Sequence, residues 1–354
     1  MCRYLVLTVC LLLASCGGGS GGGGSTGLST LQGTYWVVSL GATTNPSDAT
    51  TTWGTMVADG AGTISPSTIS NDDTSVSPDL STDFNYEVDG NGEIRLVAGA
   101  LVVYRGRISD DGRYAVLSAL TLPSVVVLVR REGAHNVAGL TGPYEFAGAG
   151  FAAGPAAYYM SATFDGAGGY AGTGAVNEAG SFDGGTIGGL YSVTSSGAVT
   201  TDVLGLPFIG GVSSDDNFML LGGGTTNGNN PLAWFLVRRA GAGGANSLLS
   251  GTYYACGVET VLGITDEAQS FWGVVRADGS GGFTMQGQTT GAGGVAPLSI
   301  AGTYSVAASG ALTFDRAGLG ENLSGGVSPD GRVAIASGGT VLNSNPVVIV
   351  MFRR

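Results

Sequence analysis

The sequence predicts an all-β protein made of three tandem eight-stranded antiparallel meanders, each closing into a small up-and-down β-barrel. The first observation behind this prediction is a sequence motif, L-x-G-x-Y, which begins at Leu31, Leu140 and Leu249 and therefore recurs every 109 residues. The second is that each copy is followed by extended segments, several alternating apolar with polar residues, and by Asp-Gly turns. Alternation marks half-buried strands, and Asp-Gly between two strands marks a hairpin.

Each repeat ends on a pair of arginines, which sets the predicted boundaries. The pairs are Arg130-Arg131, Arg238-Arg239 and Arg353-Arg354. The predicted parts are a signal peptide at 1–15, a lipidated cysteine with a Gly/Ser tether at 16–30, and β repeats at 31–132, 140–240 and 249–354. A repeat of about 100 residues has the usual size of a domain, so each one is long enough to bury its own core.

The strands of the first repeat can be taken in order. Its extended segments are 33–40, 53–58, 84–88, 94–97, 102–108, 114–120 and 125–129, with a further strand after the hairpin turn at 59–62. The same hairpin turn recurs at 165–168 and 278–281. Nothing in the body of the chain has the pattern of a helix. We therefore count eight strands in each repeat, joined mostly as hairpins.

Eight antiparallel strands are about the number that closes into a small barrel, filled by side chains or holding one small ligand. The alternative is a six-bladed β-propeller, in which each repeat supplies two four-stranded blades. A propeller predicts a period of about 50 residues. The L-x-G-x-Y motif occurs only in the first half of each repeat, and the arginine pairs occur only at the ends. The barrel is therefore favoured.

The start and the end of each repeat also resemble the lipocalin pattern. In lipocalins a G-x-W in the first strand packs near an arginine on the last strand. Here Gly33 and Tyr35 stand at the start of the first repeat and Arg130 stands at its end, with tyrosine in place of tryptophan. The resemblance implies a barrel in which Arg130 packs near the first strand. It implies no ligand.

Composition excludes several classes of protein. The 354 residues include 26 acidic residues and 14 basic ones, all arginine, and the formal charge is −12. A surface of that sign repels phosphate backbones, so we expect no nucleic-acid partner. Three of the four cysteines lie within the first 16 residues, which leaves Cys256 alone in the body of the chain. A disulfide framework within the repeats is therefore excluded.

The N-terminus predicts export. Arg3 is followed by an apolar run at 4–13, which is too short to span a bilayer and has the pattern of a signal peptide. The run ends in Leu13-Ala14-Ser15-Cys16, which resembles the lipobox of bacterial lipoproteins. That resemblance implies cleavage before Cys16 and lipid attachment to it. The Gly/Ser tract that follows is a flexible tether. Gly17, rather than aspartate, favours the outer membrane by resemblance to the lipoprotein sorting rule.

No residue pattern predicts catalysis, a metal or a cofactor. His135 is the only histidine; it lies in the first linker and is interpreted as a solvated residue. Cys256 replaces small apolar residues of the other repeats and is interpreted as packed in a strand. Acidic residues recur at equivalent hairpins and are interpreted as turn residues that bond their own backbone, rather than as calcium ligands or a glycosidase pair. These residues are Asp59, Asp111, Asp165, Asp215, Asp278 and Asp330.

The sequence therefore predicts a lipid-anchored envelope protein that is not an enzyme. The leading hypothesis is a surface or periplasmic scaffold, or a protein-binding module. The alternative is a carrier of small apolar ligands, with a cavity in each barrel lined by residues such as Tyr35, Tyr86 and Val103. An envelope hydrolase comes third, because no catalytic base is evident. Cavity volume separates the first two hypotheses. Whether the repeats contact one another stays open.

Overall fold

A computed structural model describes the greater part of the chain. The described residues are 27, 30–41, 49–72, 80–150, 156–178, 181–223, 231–261, 267–316, 321–338 and 346–354. The predicted signal peptide, the predicted lipidation site at Cys16 and nearly all of the tether lie outside these residues. No helix in the described part is long and apolar enough to cross a membrane.

The described strands form three closed antiparallel barrels of eight strands each. The first contains β1 (Gln32–Gly41), β2 (Thr50–Asp59), β3 (Thr63–Asn71), β4 (Phe84–Val88), β5 (Glu93–Ala98), β6 (Leu101–Ile108), β7 (Tyr114–Ala119) and β8 (Ser124–Arg130). The second contains β9 (Thr141–Gly150), β10 (Ala156–Asp165), β11 (Gly169–Glu178), β12 (Ser181–Val193), β13 (Ala198–Val203), β14 (Leu206–Val212), β15 (Phe218–Gly223) and β16 (Leu232–Arg238). The third contains β17 (Ser250–Val261), β18 (Glu267–Asp278), β19 (Gly282–Gly291), β20 (Gly294–Val306), β21 (Ala311–Arg316), β22 (Glu321–Val327), β23 (Val333–Gly338) and β24 (Val347–Arg353). The barrel prediction is confirmed, and the propeller alternative is not realised.

Each barrel closes because its first strand pairs with its eighth in the same register. The closing partners are Tyr35 with Arg130, Tyr144 with Arg238, and Tyr253 with Arg353. The two ends of each sequence repeat are therefore neighbours in space. This closure leaves no free sheet edge, which would otherwise expose unpaired backbone groups to other chains.

The repeated hairpin turns are held by aspartates that accept hydrogen bonds from their own backbone. Asp59 Oδ1 accepts from the N–H groups of Ala61, Gly62 and Thr63 at 2.7–2.9 Å. Asp278 makes the same turn, and the backbone N–H groups lower the pKa of its carboxyl to about 2. The interpretation of these acids as turn residues is confirmed.

The residues of the L-x-G-x-Y motif fill one end of each barrel. We call this the plugged end. Leu140 is fully buried there, and its carbonyl accepts a hydrogen bond from Tyr191 at 2.7 Å. Gly142 has a φ of 98°, a backbone conformation that glycine adopts readily. The hydroxyl of Tyr144 donates to the carbonyl of Asp216 at 2.7 Å. Leucine, glycine and tyrosine at this spacing thus turn the chain into the first strand and seal the barrel.

The three barrels also share a fourth core, formed by outward-facing residues of their neighbouring strands. It includes Val38 and Val127 of the first barrel, Ala147 and Phe235 of the second, and Cys256 of the third. Strands β1 and β2 pack on β14–β16, β9 and β10 pack on β22–β24, and β17 and β18 pack on β6–β8. Each barrel therefore offers the same two surfaces, and the head-to-tail contacts close into a ring of three.

Three aromatic rings meet within the shared core, one from each barrel. Tyr114 stacks on Phe352 with ring centroids 4.5 Å apart, and Phe218 meets Phe352 edge-on at 5.2 Å. Each ring faces a valine across the same strand pair of its own barrel: Tyr114 with Val129, Phe218 with Val237, and Phe352 with Val333. Each barrel thus supplies one aromatic side chain and one valine to the centre of the shared core.

Candidate functional site

The structure places Cys256 in the shared core rather than at a reactive surface. Its side chain is 1% exposed, and burial raises the pKa of its thiol. Thiolate is the reactive form of cysteine, so a raised pKa disfavours a role as a nucleophile. The interpretation of Cys256 as a packed strand residue is confirmed.

The interpretation of His135 as a solvated residue is wrong. The side chain is buried, with 6% of its surface exposed. Nδ1 lies 2.9 Å from Asp216 Oδ1, and Nε2 lies 2.8 Å from the carbonyl oxygen of Glu132. The linker folds back onto the second barrel because the backbone N–H of His135 also donates to the carbonyl of Ser195. His135 therefore fastens the linker to the barrel.

The other group of turn acids, Asp111, Asp215 and Asp330, is engaged with serine hydroxyls. Asp215 accepts from Ser213 at 2.6 Å, and the other two aspartates repeat this contact. Within the described ranges, no three His, Cys, Asp or Glu side chains are grouped so that they could hold a metal ion. These aspartates act as turn residues.

Each closing arginine is the strand partner of a first-strand tyrosine, as the lipocalin resemblance implies, and Arg238 packs over the tyrosine ring. Arg238 lies 5.5 Å from the ring centroid of Tyr144, its Nε donates to the tyrosine hydroxyl at 3.1 Å, and its Nη2 donates to the carbonyl of Gly139. The next arginine points the other way: Arg239 reaches the buried carboxylate of Glu145 at 3.0 Å. One arginine of the pair thus seals the barrel end, and the other lies outside the barrel.

The interior of the first barrel is packed where the sequence predicted a ligand cavity. Tyr35 and Tyr86 are both buried in its core. Their hydroxyls donate to the carbonyls of Gly112 and Leu31, both at 2.7 Å. Val103 packs against the same core. These tyrosines are therefore core residues, and the prediction that they line a ligand cavity is wrong.

The third barrel is also filled. Phe271, Met285 and Ile300 leave a void of only about 20 Å³ between them. Arg316 and Glu259 form a bidentate ion pair at 2.9 and 3.2 Å at the end opposite the plugged end. A space of this size is about the minimum for one water molecule and cannot hold a ligand.

The second barrel differs, because a cavity of about 320 Å³ opens at its unplugged end. No charged side chain contributes to its lining. The lining residues are Tyr158, Met160, Gly174, Ala175, Val176, Gly184, Gly185, Thr186, Ile187 and Leu204. The ring of Tyr158 packs at an angle of 51° against Trp234, with centroids 5.2 Å apart, and Trp234 is fully buried. Trp234 therefore closes the barrel beneath the cavity.

The cavity exists because this barrel lacks side chains that fill the third. Gly185 lies six residues before Tyr191, and Leu298 lies six residues before the equivalent Tyr304. Gly185 pairs with Gly174, whereas Leu298 pairs with Gly287. A Cβ built on Gly185 meets no described atom within 4 Å. The absence of a leucine side chain at Gly185 therefore helps to leave the cavity open.

A leucine in an unfavourable conformation stands at the mouth of the cavity. Leu204 and Gly205 form the two-residue loop between β13 and β14, with φ angles of 55° and 77°. Asparagine, aspartate and glycine are the residues that such turns prefer, because a positive φ strains other side chains. Leu204 is 52% exposed and lines the cavity. Strain of this kind is retained where it serves a function more often than elsewhere.

This cavity was not predicted from the sequence, although a signal was present. Strand β12 carries four glycines, Gly184, Gly185, Gly188 and Gly189, where the third repeat has proline, leucine, alanine and glycine. Glycine is unfavourable within strands unless space or close approach is required. The signal was hidden by the high glycine content of the whole chain.

Comparisons with known proteins add little to this picture. No protein-family model matches the sequence, and no curated protein matches it. Among solved structures, intact Ap-TbpB (N and C lobes) shares 11% identity, with 91% of this chain and 77% of that chain covered and a TM-score of 0.30. Isotype 1 transferrin binding protein B from serogroup B Neisseria meningitidis shares 9% identity, with coverage of 91% and 75% and a TM-score of 0.29. A double mutant of the vaccine antigen transferrin binding protein B from Haemophilus parasuis Hp5 shares 12%, with coverage of 90% and 76% and a TM-score of 0.26. TM-scores of 0.30 or less are too low for these structures to indicate the function of this chain.

Proposed function

We propose that this chain is a non-enzymatic, lipid-anchored protein of the bacterial envelope that carries one small apolar ligand in its second barrel. The observation that carries the proposal is the cavity of about 320 Å³ with no charged side chain in its lining. The proposed anchor is a lipid on Cys16, and the proposed location is the outer membrane. The third hypothesis, an envelope hydrolase, gains no support from the placement of His135 and Cys256.

The size and chemistry of the cavity fit a small apolar ligand. Ligand pockets in proteins begin at about 300 Å³ and are lined mainly by apolar and aromatic side chains with a few polar groups. Here Tyr158, Met160 and Ile187 supply the apolar surface. Each square ångström of apolar surface removed from water contributes about 25 cal/mol. The backbone of the glycine-rich strands supplies the polar groups that remain to orient the ligand.

The proposal differs from the sequence-based alternative in its stoichiometry. That alternative placed a cavity in each barrel, whereas the third barrel is filled by side chains and the first has packed tyrosines in its core. We therefore expect one ligand per chain. The repeats are related by structure but have separate roles, because the first and third hold the second in place through the shared core.

Native mass spectrometry of residues 27–354 tests the proposal, since this segment keeps every described residue. We expect one bound molecule per chain after gentle purification from an exporting host, or one equivalent of the apolar fluorescent probe N-phenyl-1-naphthylamine in a titration. Three equivalents contradict the assignment to one barrel. A chain that neither retains a ligand nor binds the probe contradicts the carrier function.

A scaffold or protein-binding role is the second candidate function. The observation in its favour is the shared core, which holds the outer faces of three barrels in a fixed arrangement. Exposed apolar residues stand on these faces, Leu101 of the first barrel being 71% exposed. A photocrosslinking residue in place of Leu101, in cells that export the chain, should give one discrete adduct. The control carries the same crosslinker in place of the exposed Gly90. If both positions give the same mixture of adducts, there is no specific partner at Leu101.

Acylation of Cys16 is tested separately. Metabolic labelling with an alkyne analogue of palmitate should label the chain and leave Cys16→Ala unlabelled. Equal labelling of the two proteins contradicts the proposed anchor.

A further inference from the structure

A polar groove of about 380 Å³ lies between the first and third barrels. One wall is the outer face of β5 and β6, and the other is the outer face of β18 and β19. The lining residues are Glu93, Arg105, Arg107, Trp272, Val274, Arg276, Thr284, Gln286, Gly287 and Gln288. The groove is on the outside of both barrels and does not touch the second, so it is separate from the apolar cavity.

Three arginines converge on one carboxylate in the first-barrel wall. Arg105 lies 2.8 Å from Glu93, Arg95 lies 3.0 Å from it, and Arg107 lies 3.5 Å from it. They are brought together by register, because Glu93 pairs with Arg107 and Arg95 pairs with Arg105 across β5 and β6. One carboxylate neutralises only one of these three charges. Glu87 approaches Arg95 at 3.8 Å but is mostly exposed, so water weakens that contact.

The third-barrel wall adds a fourth arginine and several neutral hydrogen-bonding groups. Arg276 is exposed, and no ion pair to it occurs within the described part of the chain. Thr284, Gln286 and Gln288 stand beside it. Trp272 is 6% exposed, and no described atom accepts a hydrogen bond from its Nε1. The buried Trp36 and Trp234 share this feature, so the case for a ligand rests on the arginines and the neutral polar groups of the groove.

This groove breaks the symmetry of the ring of barrels. Arg107, Gly211 and Gly326 are equivalent, since each precedes a residue whose N–H donates to the carbonyl of a turn glycine. Gly211 and Gly326 leave room for a side chain of the neighbouring barrel. A Cβ on Gly211 would lie 2.1 Å from Trp36, and a Cβ on Gly326 would lie 2.6 Å from Glu145. At the third contact Arg107 instead lies between Tyr254 and Trp272, 5.7 and 5.8 Å from their ring centroids. The arginine at this position places a positive charge between the two barrel surfaces.

We infer that this groove binds an oxyanion, a carboxylate or a phosphate, carried by a small polar molecule such as an acidic sugar. Arginine presents a planar fork of N–H donors that matches both groups. Three arginines against one glutamate line the groove, in a chain whose formal charge is −12. Positive charge is thus concentrated at one place in a negative protein, where it attracts an anion selectively. The amide and hydroxyl groups of the opposite wall complete the hydrogen bonding of a polar ligand.

Isothermal titration of residues 27–354 with two probes, glucuronate and glucose 6-phosphate, tests this inference. Glucose is the neutral control. We expect at least one of the two anions to bind, to bind more weakly as NaCl is raised from 50 to 500 mM, and to be preferred to glucose. Binding of the phosphate alone or of the carboxylate alone identifies the source of the oxyanion. Binding of neither, or of glucose equally well, overturns the inference.

Arg276→Gln provides the variant, because Arg276 is exposed and its replacement leaves the packing of both barrels intact. We expect about tenfold weaker binding of the anion, the usual effect of losing one charged hydrogen bond. Arg332→Gln removes the same charge from the third barrel outside the groove and should leave the affinity unchanged. Equal affinities for Arg276→Gln and the unmodified chain overturn the inference, as does an equal loss in both variants. Binding of the apolar probe should be unaffected by either change, so this test is independent of the carrier function.

Discussion

Replacing Gly185 by leucine should make the protein more stable and weaken binding of the apolar ligand. Gly185 faces the cavity of the second barrel, and no described atom lies within 4 Å of the position that its Cβ would take. Its φ is outside the left-handed region, so a side chain can be added without backbone strain. The third barrel already carries a leucine at the equivalent position, where Leu298 packs against the core.

The gain in stability can be worked out from that equivalent residue. Full burial of a leucine side chain contributes about 1.5–3 kcal/mol. Leu298 is only half-buried, so about 1 kcal/mol is expected from burial at this position. Removing a glycine from a strand adds about 0.5–1 kcal/mol, because the unfolded chain loses conformational freedom. The free energy of unfolding should therefore rise by about 1.5–2 kcal/mol.

Two assays on the same proteins check both halves of this prediction. Urea unfolding followed by tryptophan fluorescence measures the stability by linear extrapolation. Titration with N-phenyl-1-naphthylamine measures the affinity, which should fall at least about tenfold because the leucine occupies the ligand volume.

Gly188→Leu is the matched control, because Gly188 lies on the same strand, is exposed and does not line the cavity. Gly188 is three residues from Gly185, and side chains an odd number of residues apart on a strand point to opposite faces, so this leucine should project outside the barrel and leave the cavity open. The reasoning is refuted if Gly185→Leu binds the probe as well as the unmodified chain. It is also refuted if Gly185→Leu is less stable than that chain, or if Gly188→Leu loses binding to the same extent.

Three further changes test other parts of the structure. Leu204→Asn should raise the free energy of unfolding by about 1 kcal/mol, because asparagine tolerates the positive φ, and should weaken probe binding severalfold. Burial raises the pKa of Glu145 from 4.5 to about 7. The folded protein therefore keeps a proton that the unfolded chain loses in this window, and stability should fall by about 1.4 kcal/mol per pH unit as the pH rises through it. Glu145→Gln should flatten that slope in urea unfolding measured from pH 4.5 to 8. Gly211→Ala should lower stability by about 1–3 kcal/mol, because the added carbon would lie 2.1 Å from Trp36, whereas Gly90→Ala should have little effect.

Each of these has a clear contrary outcome. Unchanged probe binding in Leu204→Asn removes that residue from the mouth of the cavity. A slope that persists in Glu145→Gln assigns the pH dependence to another group. Equal stability of Gly211→Ala and the unmodified chain contradicts the close contact between the first and second barrels.

Much of the fold was predictable because its signals are local and repeated. The L-x-G-x-Y motif recurs because each barrel uses the same three residues at its plugged end. The leucine fills the barrel end, the glycine has a positive φ, and the tyrosine forms a hydrogen bond to a turn. Asp59 and its counterparts mark turns by bonding to residues two to four positions later. Interactions between near neighbours in the chain leave a pattern that can be read without the fold.

The shared core had a signal that is weaker and easier to overlook. Strand β8 reads as an unbroken apolar run, and residues 125–129 are all buried. A barrel strand with one face in solvent would alternate, so a continuous run indicates burial on both faces. The sequence does not indicate what covers the outer face of β8. Strands β17 and β18 cover it, and they are more than 100 residues away along the chain.

The sequence by itself determined the three barrels, their turns and the packed nature of Cys256, because each depends on residues close in sequence or on a repeat. Only the tertiary structure decided that the barrels form one ring, that His135 is buried and that a cavity opens in the second barrel. The cavity depends on a side chain that Gly185 lacks, and the groove depends on Arg107 and Arg276 approaching from different barrels. The physical reason is that empty volume and the meeting of distant charges are properties of the closed packing, and no single segment of the chain contains them.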